Sequence, residues 1–404
     1  MEFKNNIEKI KGEGIVHFWN LPDKLYVILD SNFKNILLSD FMKVTRTKYN
    51  VKKITGIQRD TISNIINKIN PTIRIDYLLK IIEIIDKEDF NLLNIEMKIK
   101  WIGDFKSHGI THPKLPFDFN CRAGARFLAA ICNEGWISHG MYYSNSKDEL
   151  RKSVENDSLT IFGGNTETIK EYVKKNDKCL AFPSIMRDVV NILAEFKGIK
   201  SINNPSIPPF ILENDELIFG WIEQTIADEG HVKYYPETYR REIVWRRSFS
   251  RSLTKYKLND DERIMLDKIG ISYDLKNIGT YFANKGIEKI RLQMRISKRE
   301  NLLKLRKLIK IPHQQKDKIF TDLTQGFVRY KEPLKIKEAI IKICNEKGFV
   351  NSSELKKEMN YKKTNTACVW IKFYLNAGLL KCVREFSYGE ARGREPAKYI
   401  IVGT

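Results

Sequence analysis

The hydrophobic pattern divides the chain into alternating helical and strand-like segments. Two segments share one pattern, an apolar run that contains small residues and ends in Glu-Gly: Phe127–Gly135 and Ile222–Gly230. Such a run predicts a buried helix, and the Gly after the acid lets the chain turn sharply into the next element. The two acids, Glu134 and Glu229, lie 229 − 134 = 95 residues apart, far enough for each to begin its own structural unit.

The elements that follow the two motifs recur in a similar order. After Gly135, the pattern predicts strand character over 136–143, a helix at 147–155, a strand at 178–182 and a helix at 186–196. After Gly230, it predicts paired strands at 231–235 and 242–246, a helix at 260–269, a strand at 288–296 and a helix at 300–309. The middle of the chain is therefore an internal repeat of pattern rather than of identity.

The segment from about Ser39 to Asp86 alternates short helical runs with turn residues. A short helix ending at Gly56 is followed directly by a second helix with a polar face, which is typical of a helix-turn-helix. This segment resembles the phage-repressor-like helix-turn-helix family. By that resemblance, the residues on or near the recognition helix are Gln58, Arg59, Thr61 and Ser63.

The last seventy or so residues predict three helices and two strands, a pattern that resembles a winged helix. Helices are expected at 335–347, from Ser352 and at 365–376, and strands at 379–386 and 397–402. Arg392 and Arg394 would lie at the wing tip, where they could reach a phosphate or a minor groove. Residues 333–404 hold 14 Lys and Arg against 7 Asp and Glu, which favours nucleic acid over protein docking.

Charge strengthens the expectation of a polyanionic partner. The net charge is +20 and the pI is about 9.5. The basic residues cluster, since Lys233–Lys257 holds 8 Lys and Arg against 2 Asp and Glu. This balance favours phosphate contacts and counterion release. The chain has no apolar run of ~20 residues and no apolar signal core at its N-terminus, so we expect a cytoplasmic protein without a membrane span.

The paired motifs and the order of elements resemble the single-chain, two-repeat form of the LAGLIDADG homing endonuclease family, from about Phe117 to Gly326. The resemblance implies an α+β fold in which two pseudo-symmetric αββαββα repeats carry saddle-shaped antiparallel sheets. With the flanking modules, four parts are expected: 1–116, with the helix-turn-helix at about 39–90, then 117–210, 211–326 and 333–404.

The resemblance also implies a metal site. By position, Glu134 and Glu229 project into the active site and bind Mg²⁺, together with Gly135 and Gly230. Small residues let the motif helices approach closely, and here these are Ala129, Ala130, Thr225 and Ala227. Gln224 departs from the pattern, because it is bulky for a tight helix interface and could either splay the helices or form a hydrogen bond across them.

In this family the strands lie along the DNA major groove, which is wide enough for such ribbons. Arginines suit phosphate and guanine contacts. The arginines expected to contact DNA on the strands are Arg240, Arg241, Arg246, Arg247, Arg251, Arg291 and Arg295. Basic residues near the metals assist the developing charge, and the candidates are Lys178 and Arg291.

The leading hypothesis is a site-specific double-stranded DNA endonuclease in which metal-activated water hydrolyses the phosphodiester bond. We expect a monomer with internal pseudo-two-fold symmetry. Two alternatives remain open at this point. One is a non-catalytic transcription regulator built on the same fold, which the two extra modules favour, and the other is an RNA-binding or RNA-processing protein.

Overall fold

The structure is a computed structural model that describes residues 7–68, 71–105, 109–174, 177–196, 198–235, 240–283, 286–325, 333–384, 387–388 and 394–402. The fold is mixed α+β, with many helices and several small antiparallel sheets. The chain divides into two compact units between Gln325 and Gly326. Within the described ranges, no helix is long and apolar enough to cross a membrane.

The N-terminal part of the larger unit packs short helices around a four-stranded sheet with the strand order β3-β2-β4-β5. Its elements are α1 Ile7–Glu13, β1 Ile15–Val16, β2 Tyr26–Leu29, α2 Ser31–Thr45, α3 Lys48–Thr55, α4 Arg59–Asn67, β3 Ile73–Arg74, α5 Ile75–Ile85, α6 Leu92–Glu96, β4 Ile99–Gly103, β5 Ile110–Thr111 and β6 Phe117–Asp118. Strand β6 pairs with β1, which ties this part to the start of the first motif helix.

Helices α3 and α4 meet at a tight turn. Gly56 follows α3 with φ +75°, a left-handed conformation that glycine adopts without strain. Val51 of α3 and Ile62 and Ile65 of α4 are buried, and α3 packs against both α4 and α5. The two helices therefore have the arrangement that the alternation of helical runs and turn residues predicts.

The middle of the chain contains two successive runs with the same element order, αββαββα. The first consists of α7 Arg122–Asn133, β7 Gly135–Ile137, β8 Met141–Ser144, α8 Asp148–Phe162, β9 Lys170–Lys174, β10 Asp177–Phe182 and α9 Ser184–Leu193. After α10 Lys200–Asn203 and α11 Pro209–Glu213, the second consists of α12 Asp215–Asp228, β11 His231–Tyr235, β12 Arg240–Ser250, α13 Lys257–Lys268, β13 Asp274–Phe282, β14 Glu288–Ile296 and α14 Arg299–Leu308. Helix α15, Gln314–Gln325, follows.

The two four-stranded sheets have matching topology, with strand orders β7-β8-β10-β9 and β11-β12-β14-β13. The sequence pattern missed β9 and β13 and treated β7 and β8 as one run. Strand β13 is exposed along nearly its whole length, so it lacks the hydrophobic alternation that marks a half-buried strand. The break between β7 and β8 is a three-residue turn, Ser138–Gly140, inside an otherwise apolar run.

Helices α7 and α12 form the most extensive helix contact in the described chain. A side chain at Gly220 would place its Cβ 2.6 Å from the backbone oxygen of Arg122 and 3.2 Å from the Cβ of Ala125. The closest approach is therefore near the helix N-termini, one to two turns before the small residues on which the sequence prediction relied. Ala129, Ala130, Thr225 and Ala227 are all buried in the helix pair.

A buried ion-pair network joins the N-terminal halves of these helices to their surroundings. Glu223 of α12 is 1% exposed and accepts hydrogen bonds from Arg126 at 3.3 Å and from the backbone N–H of Lys310 at 2.9 Å. Arg126 of α7 also donates to both oxygens of Asp157 at 2.9 and 2.6 Å. A buried carboxylate is tolerated when it is paired in this way.

The smaller unit contains α16 Pro333–Lys347, α17 Ser352–Glu358, α18 Thr364–Asn376, and the strands β15 Leu380–Arg384, β16 Ser387–Tyr388, β17 Arg394–Glu395 and β18 Lys398–Ile401. Its core comes from all three helices and from the antiparallel pair β15–β18, and includes Ile340, Leu355, Ile371 and Leu380. Strands β16 and β17 pair beyond the core.

Candidate nucleic-acid site

The two motif helices end side by side. Asn133, the last residue of α7, donates a 3.4 Å hydrogen bond to Asp228, the last residue of α12. Each residue immediately precedes its motif acid, so Glu134 and Glu229 stand at the same end of the helix pair. Burial raises the pKa of Glu134, and the nearby Glu229 carboxylate raises it further by charge repulsion. The structure thus brings the two predicted acids together.

Gly135 and Gly230 follow the motif acids, where each helix turns into a strand. Neither glycine has a positive φ, so neither is required for a left-handed backbone conformation. A Cβ at Gly135 would lie 2.7 Å from the Cα of Ile131, and one at Gly230 would lie 2.6 Å from the carbonyl oxygen of Ile226. Each glycine packs against the last turn of its own helix. These positions therefore need glycine because the last turn of each motif helix leaves no room for a side chain where the chain turns into the strand.

A lysine binds the carbonyl end of each motif helix. Lys200 donates to the carbonyl oxygen of Ile131 at 2.5 Å and also to that of Gly135. Lys316 donates to the carbonyl oxygens of Ile226 and Ala227 at 3.1 and 2.6 Å. Cations at a helix C-terminus interact favourably with its exposed carbonyls. The Gly135 carbonyl oxygen, predicted as a metal ligand, thus accepts one of these hydrogen bonds.

The pKa of both lysines is lowered by burial, while the carboxylates Glu134 and Glu229 act in the opposite direction. Ile131 and Ile226 are related by the same 95-residue offset as the acids, so the two lysines bind equivalent positions. The sequence prediction missed both residues, because each lies far downstream of its helix and no local motif marks it.

Arg247 lies beneath the acids rather than on a DNA-facing surface. Its side chain is 7% exposed and lies 2.6 Å from Glu262 and 3.6 Å from Glu229. It also donates to Asn133 Oδ1 at 2.8 Å and so joins the two runs. Burial would lower the pKa of Arg247, but the Glu262 and Glu229 carboxylates raise it well above its usual value, so the guanidinium stays charged.

Asp228 links the two halves through three donors. Tyr143 Oη donates at 2.8 Å, Gln224 Nε2 at 3.0 Å and Asn133 Nδ2 at 3.4 Å. Burial raises the pKa of Asp228 to about 7, although these hydrogen bonds favour the ionised form. Gln224 therefore bonds within its own helix and supports Asp228, and the close contact at Gly220 shows that it does not splay the pair.

The second sheet has one basic face. Strand register places alternate side chains of β11 to β14 on the side away from the helices. Among the described residues of this sheet, that face carries two acids, Glu242 and Asp274, and seven basic residues: Lys233, Arg240, Arg246, Lys276, Lys289, Arg291 and Arg295. We call this surface the basic face.

Glu242 organises one corner of the basic face. It is 1% exposed and lies 3.2 Å from Lys233, 2.7 Å from Arg240 and 2.7 Å from Arg295. Burial would raise the pKa of Glu242, but the three cations hold it below its usual value. One acid thus fixes three basic side chains in place.

Three of the arginines predicted to contact DNA, Arg241, Arg247 and Arg251, have other positions or partners. Arg241 and Arg247 lie on the helix-facing side, with Arg241 5.4 Å from the Tyr234 ring. Counting charges along the strand overlooked its two-residue alternation, which is the physical reason for the correction. Arg251 follows the strand and pairs with Glu288 at 2.5 Å. Arg246 is exposed, and Arg291 lies over the Tyr281 ring at 4.6 Å, both on the basic face.

The remaining predicted contacts lie elsewhere. Lys178 is on the helix-facing side of the first sheet, 3.6 Å from Asp148. On α4, Gln58 and Arg59 are exposed, and Thr61 and Ser63 are half-buried. Arg59 stacks on Tyr49 at 4.9 Å, and Ser63 accepts a hydrogen bond from Lys48 at 2.9 Å. Arg392 lies outside the described residues, and Arg394 begins β17.

The described part of the chain holds no cluster of three or more Asp, Glu, His or Cys side chains that could bind a metal ion. Mg²⁺ commonly binds through one or two carboxylates together with waters and substrate phosphates. Glu134 and Glu229 supply two adjacent, partly exposed carboxylates whose repulsion a cation would relieve. These residues therefore fit a Mg²⁺ ion that arrives with a phosphate, and they do not form a complete metal cage by themselves.

No protein-family model matches this sequence, and no curated protein matches it. Among solved structures, the chain is similar to the crystal structure of the N-terminal LAGLIDADG domain of DUF199/WhiA. The identity is 11%, the similarity covers 54% of this chain and 88% of that chain, and the TM-score is 0.30. That TM-score is too low for the likeness to establish a shared fold.

Proposed function

We propose that this protein binds double-stranded DNA on the basic face. The observation that carries the proposal is the segregation of charge by strand register, with seven basic residues against two acids on one side of one sheet. The face begins at His231, two residues after Glu229, so a bound backbone would pass beside the paired acids. The major groove is wide enough to admit antiparallel strands, and basic side chains contact its flanking phosphates.

The architecture supports the same proposal. Two successive αββαββα runs with one sheet order, joined by paired helices that end in Glu-Gly, resemble the layout expected of a two-repeat LAGLIDADG protein. Helices α3 and α4, with the Gly56 turn, would add a helix-turn-helix contact through Gln58 and Arg59. The smaller unit would add a winged-helix contact. The chain would work as a monomer, because both motif acids come from one polypeptide.

We further propose that DNA bound on the basic face is cut at Glu134 and Glu229. These carboxylates would hold Mg²⁺ against the scissile phosphate, and the ion, when bound, would acidify a water molecule and offset charge on the leaving oxygen. Lys200 and Lys316 each bind the carbonyl end of one motif helix and would add positive charge around the phosphate. Arg247 holds Glu229 in place from below.

The experiment is cleavage of a randomised duplex DNA library with Mg²⁺, compared with the same reaction in EDTA. The double variant Glu134→Gln/Glu229→Gln should bind DNA as the parent does, because the basic face is intact, and should lose cleavage by at least about 100-fold. Glu167→Gln, an exposed glutamate on a loop of the first run, is the matched control and should leave cleavage unchanged. Equal cleavage by the double variant and the parent would refute the assigned site.

A second candidate is a DNA-binding regulator that does not cut. The observation that favours it is charge compensation at the junction, where Lys200, Lys316 and Arg247 already neutralise the acids without a metal. Tight, sequence-specific binding without nicking in Mg²⁺ or Mn²⁺ would establish this function. Under that outcome, Glu134 and Glu229 hold the helix junction together and do not act on DNA.

A further inference from the structure

The outer face of the first sheet carries a row of aromatic rings. Strand register places Trp136, Tyr142 and Tyr172 on the side away from the helices. Trp136 and Tyr142 stack with their ring centroids 4.8 Å apart and their planes 20° apart. Tyr172 meets Tyr142 edge to face at 5.8 Å. We call these three residues the aromatic row.

Small residues form the floor under the aromatic row. Ala181 pairs directly with Tyr142, and Cys179 pairs directly with Tyr172, on the central strand between them. Each of the three rings is half-buried, so part of its surface remains accessible to solvent. The half-buried rings and the small residues beneath them give the outer face of the first sheet an aromatic surface in a strongly basic protein.

The equivalent faces of the two sheets differ sharply in charge. Among the described positions on the outer face of the first sheet, the register places two basic residues, Lys170 and Lys174, whereas the basic face has seven. A duplex lying across both sheets would need phosphate contacts on each, because those contacts supply most of the binding free energy. The described positions of the first sheet carry few of these charges and present aromatic surface instead.

The two faces begin at equivalent positions beside the motif acids. Trp136 and His231 are related by the 95-residue offset, and each follows its motif acid by two residues. Since Glu134 and Glu229 stand at one end of the helix pair, the aromatic row begins beside the point where the basic face begins. A single nucleic-acid strand that leaves the basic face past the acids would therefore meet Trp136.

We propose that the aromatic row binds unpaired bases of the DNA whose duplex part lies on the basic face. The proposal rests on the proposed function, because the duplex must be held first. Bases in a duplex stack on one another and expose only their edges, whereas unpaired bases expose their flat faces to aromatic rings. The ligand is thus DNA with a junction between duplex and single strand.

The test measures equilibrium binding to a duplex and to the same duplex with an unpaired overhang of about six nucleotides. The overhang should tighten binding by about 10-fold, since stacking adds substantially for each base. Tyr172→Leu and Trp136→Leu should each remove most of this gain, and Tyr172→Phe should keep it. Val173→Ala, at the neighbouring exposed position on the opposite side of the strand, is the matched control and should keep it.

A fluorescent base analogue in the overhang reports stacking directly, and its quenching should disappear in Tyr172→Leu. Thermal unfolding confirms that each variant is folded, and duplex affinity should be the same in all four variants. Equal affinity of the parent for both DNAs would overturn the aromatic-row proposal and leave duplex binding standing. Failure of the parent to bind either DNA would overturn the proposed function itself.

Discussion

At the scale of single residues, burial where the two motif helices end raises the pKa of one carboxyl group, that of Asp228. The residue sits between the two runs and receives hydrogen bonds from Tyr143, Gln224 and Asn133, yet its pKa is raised to about 7 by burial. This role could not be predicted from sequence, because Asp228 is simply the residue before the motif acid. Its role depends on Tyr143, a residue of the other run that only the folded chain brings near.

We predict that stability decreases as pH rises from about 4 to about 7 because of Asp228. In this window the unfolded chain has already lost the proton, whereas the folded protein keeps it, so each further unit of pH favours unfolding. The loss should total on the order of 3 kcal/mol after allowance for residual hydration of the carboxylate. Urea unfolding of the parent protein across this pH range measures it.

Asp228→Asn should flatten this pH dependence and be more stable than the parent at neutral pH. Asparagine keeps an oxygen that accepts the hydrogen bond from Tyr143. Its amide group can donate to the buried Gln224 Oε1, which has no hydrogen-bond partner, once the Gln224 amide flips. Glu134, Glu223 and Asp157 also have raised pKa values, so a smaller dependence of the same sign should remain. An undiminished slope in Asp228→Asn would contradict the assignment.

At the scale of elements, adjacent residues of strand β12 should have different roles, Arg246 in DNA binding and Arg247 in stability. Arg247→Met should destabilise the protein by about 3–5 kcal/mol, because the buried Glu262 loses its cation. Arg246→Met, one residue earlier and on the basic face, should change stability by no more than about 0.5 kcal/mol but should weaken DNA binding. Chemical unfolding and DNA titration of both variants give the comparison, and similar unfolding midpoints for the two would rule it out.

The motif helices give a second prediction at this scale. Gly220→Ala should destabilise the protein by about 1–3 kcal/mol, because its Cβ would lie 2.6 Å from the backbone oxygen of Arg122 on α7. Gly12→Ala is the control, since Gly12 lies in helix α1 with nothing within 4 Å of the added atom. The control should be neutral or slightly stabilising through helix propensity. Thermal unfolding measures both changes.

Elements with a buried face could be predicted from sequence, and elements without one could not. Strand β14 follows the bounds that its hydrophobic spacing predicts, 288–296. Strand β13 was not predicted because its side chains are solvent-exposed on both faces, so it has no hydrophobic alternation. The sequence prediction missed Lys200 and Lys316 for another reason. A single lysine among many is not marked by any sequence pattern, and only the folding of the chain brings each one to a helix end.

At the scale of the whole molecule, the number of cations on the basic face predicts how the DNA-binding constant depends on salt concentration. If all seven cations of the basic face contact phosphates, the logarithm of the binding constant should fall against the logarithm of salt concentration with a slope of roughly −6. Arg246→Gln should make that slope shallower by about 1. Fluorescence anisotropy over a range of KCl concentrations measures the slope. A slope near zero would mean that the basic face does not carry binding.

The sequence predicted the repeat of elements and the meeting of the two acids, because both follow from the spacing of apolar residues and from one short motif. It did not predict that the two sheets differ, with an aromatic row on one and a basic face on the other. Charge totals along the chain average over both sides of a strand. The register of neighbouring strands, which separates those sides, is a property of the folded sheet.

The placement of the helix partners also matters while the chain is being made. Helix α7 is complete long before Lys200, which binds its carbonyl end, and before Gly220, which packs against Ala125. The two motif acids are 95 residues apart, so at ~5–20 residues per second the apolar side of α7 waits about 5–20 s for α12. The growing chain on the ribosome is thus the form of this protein that is most exposed to aggregation.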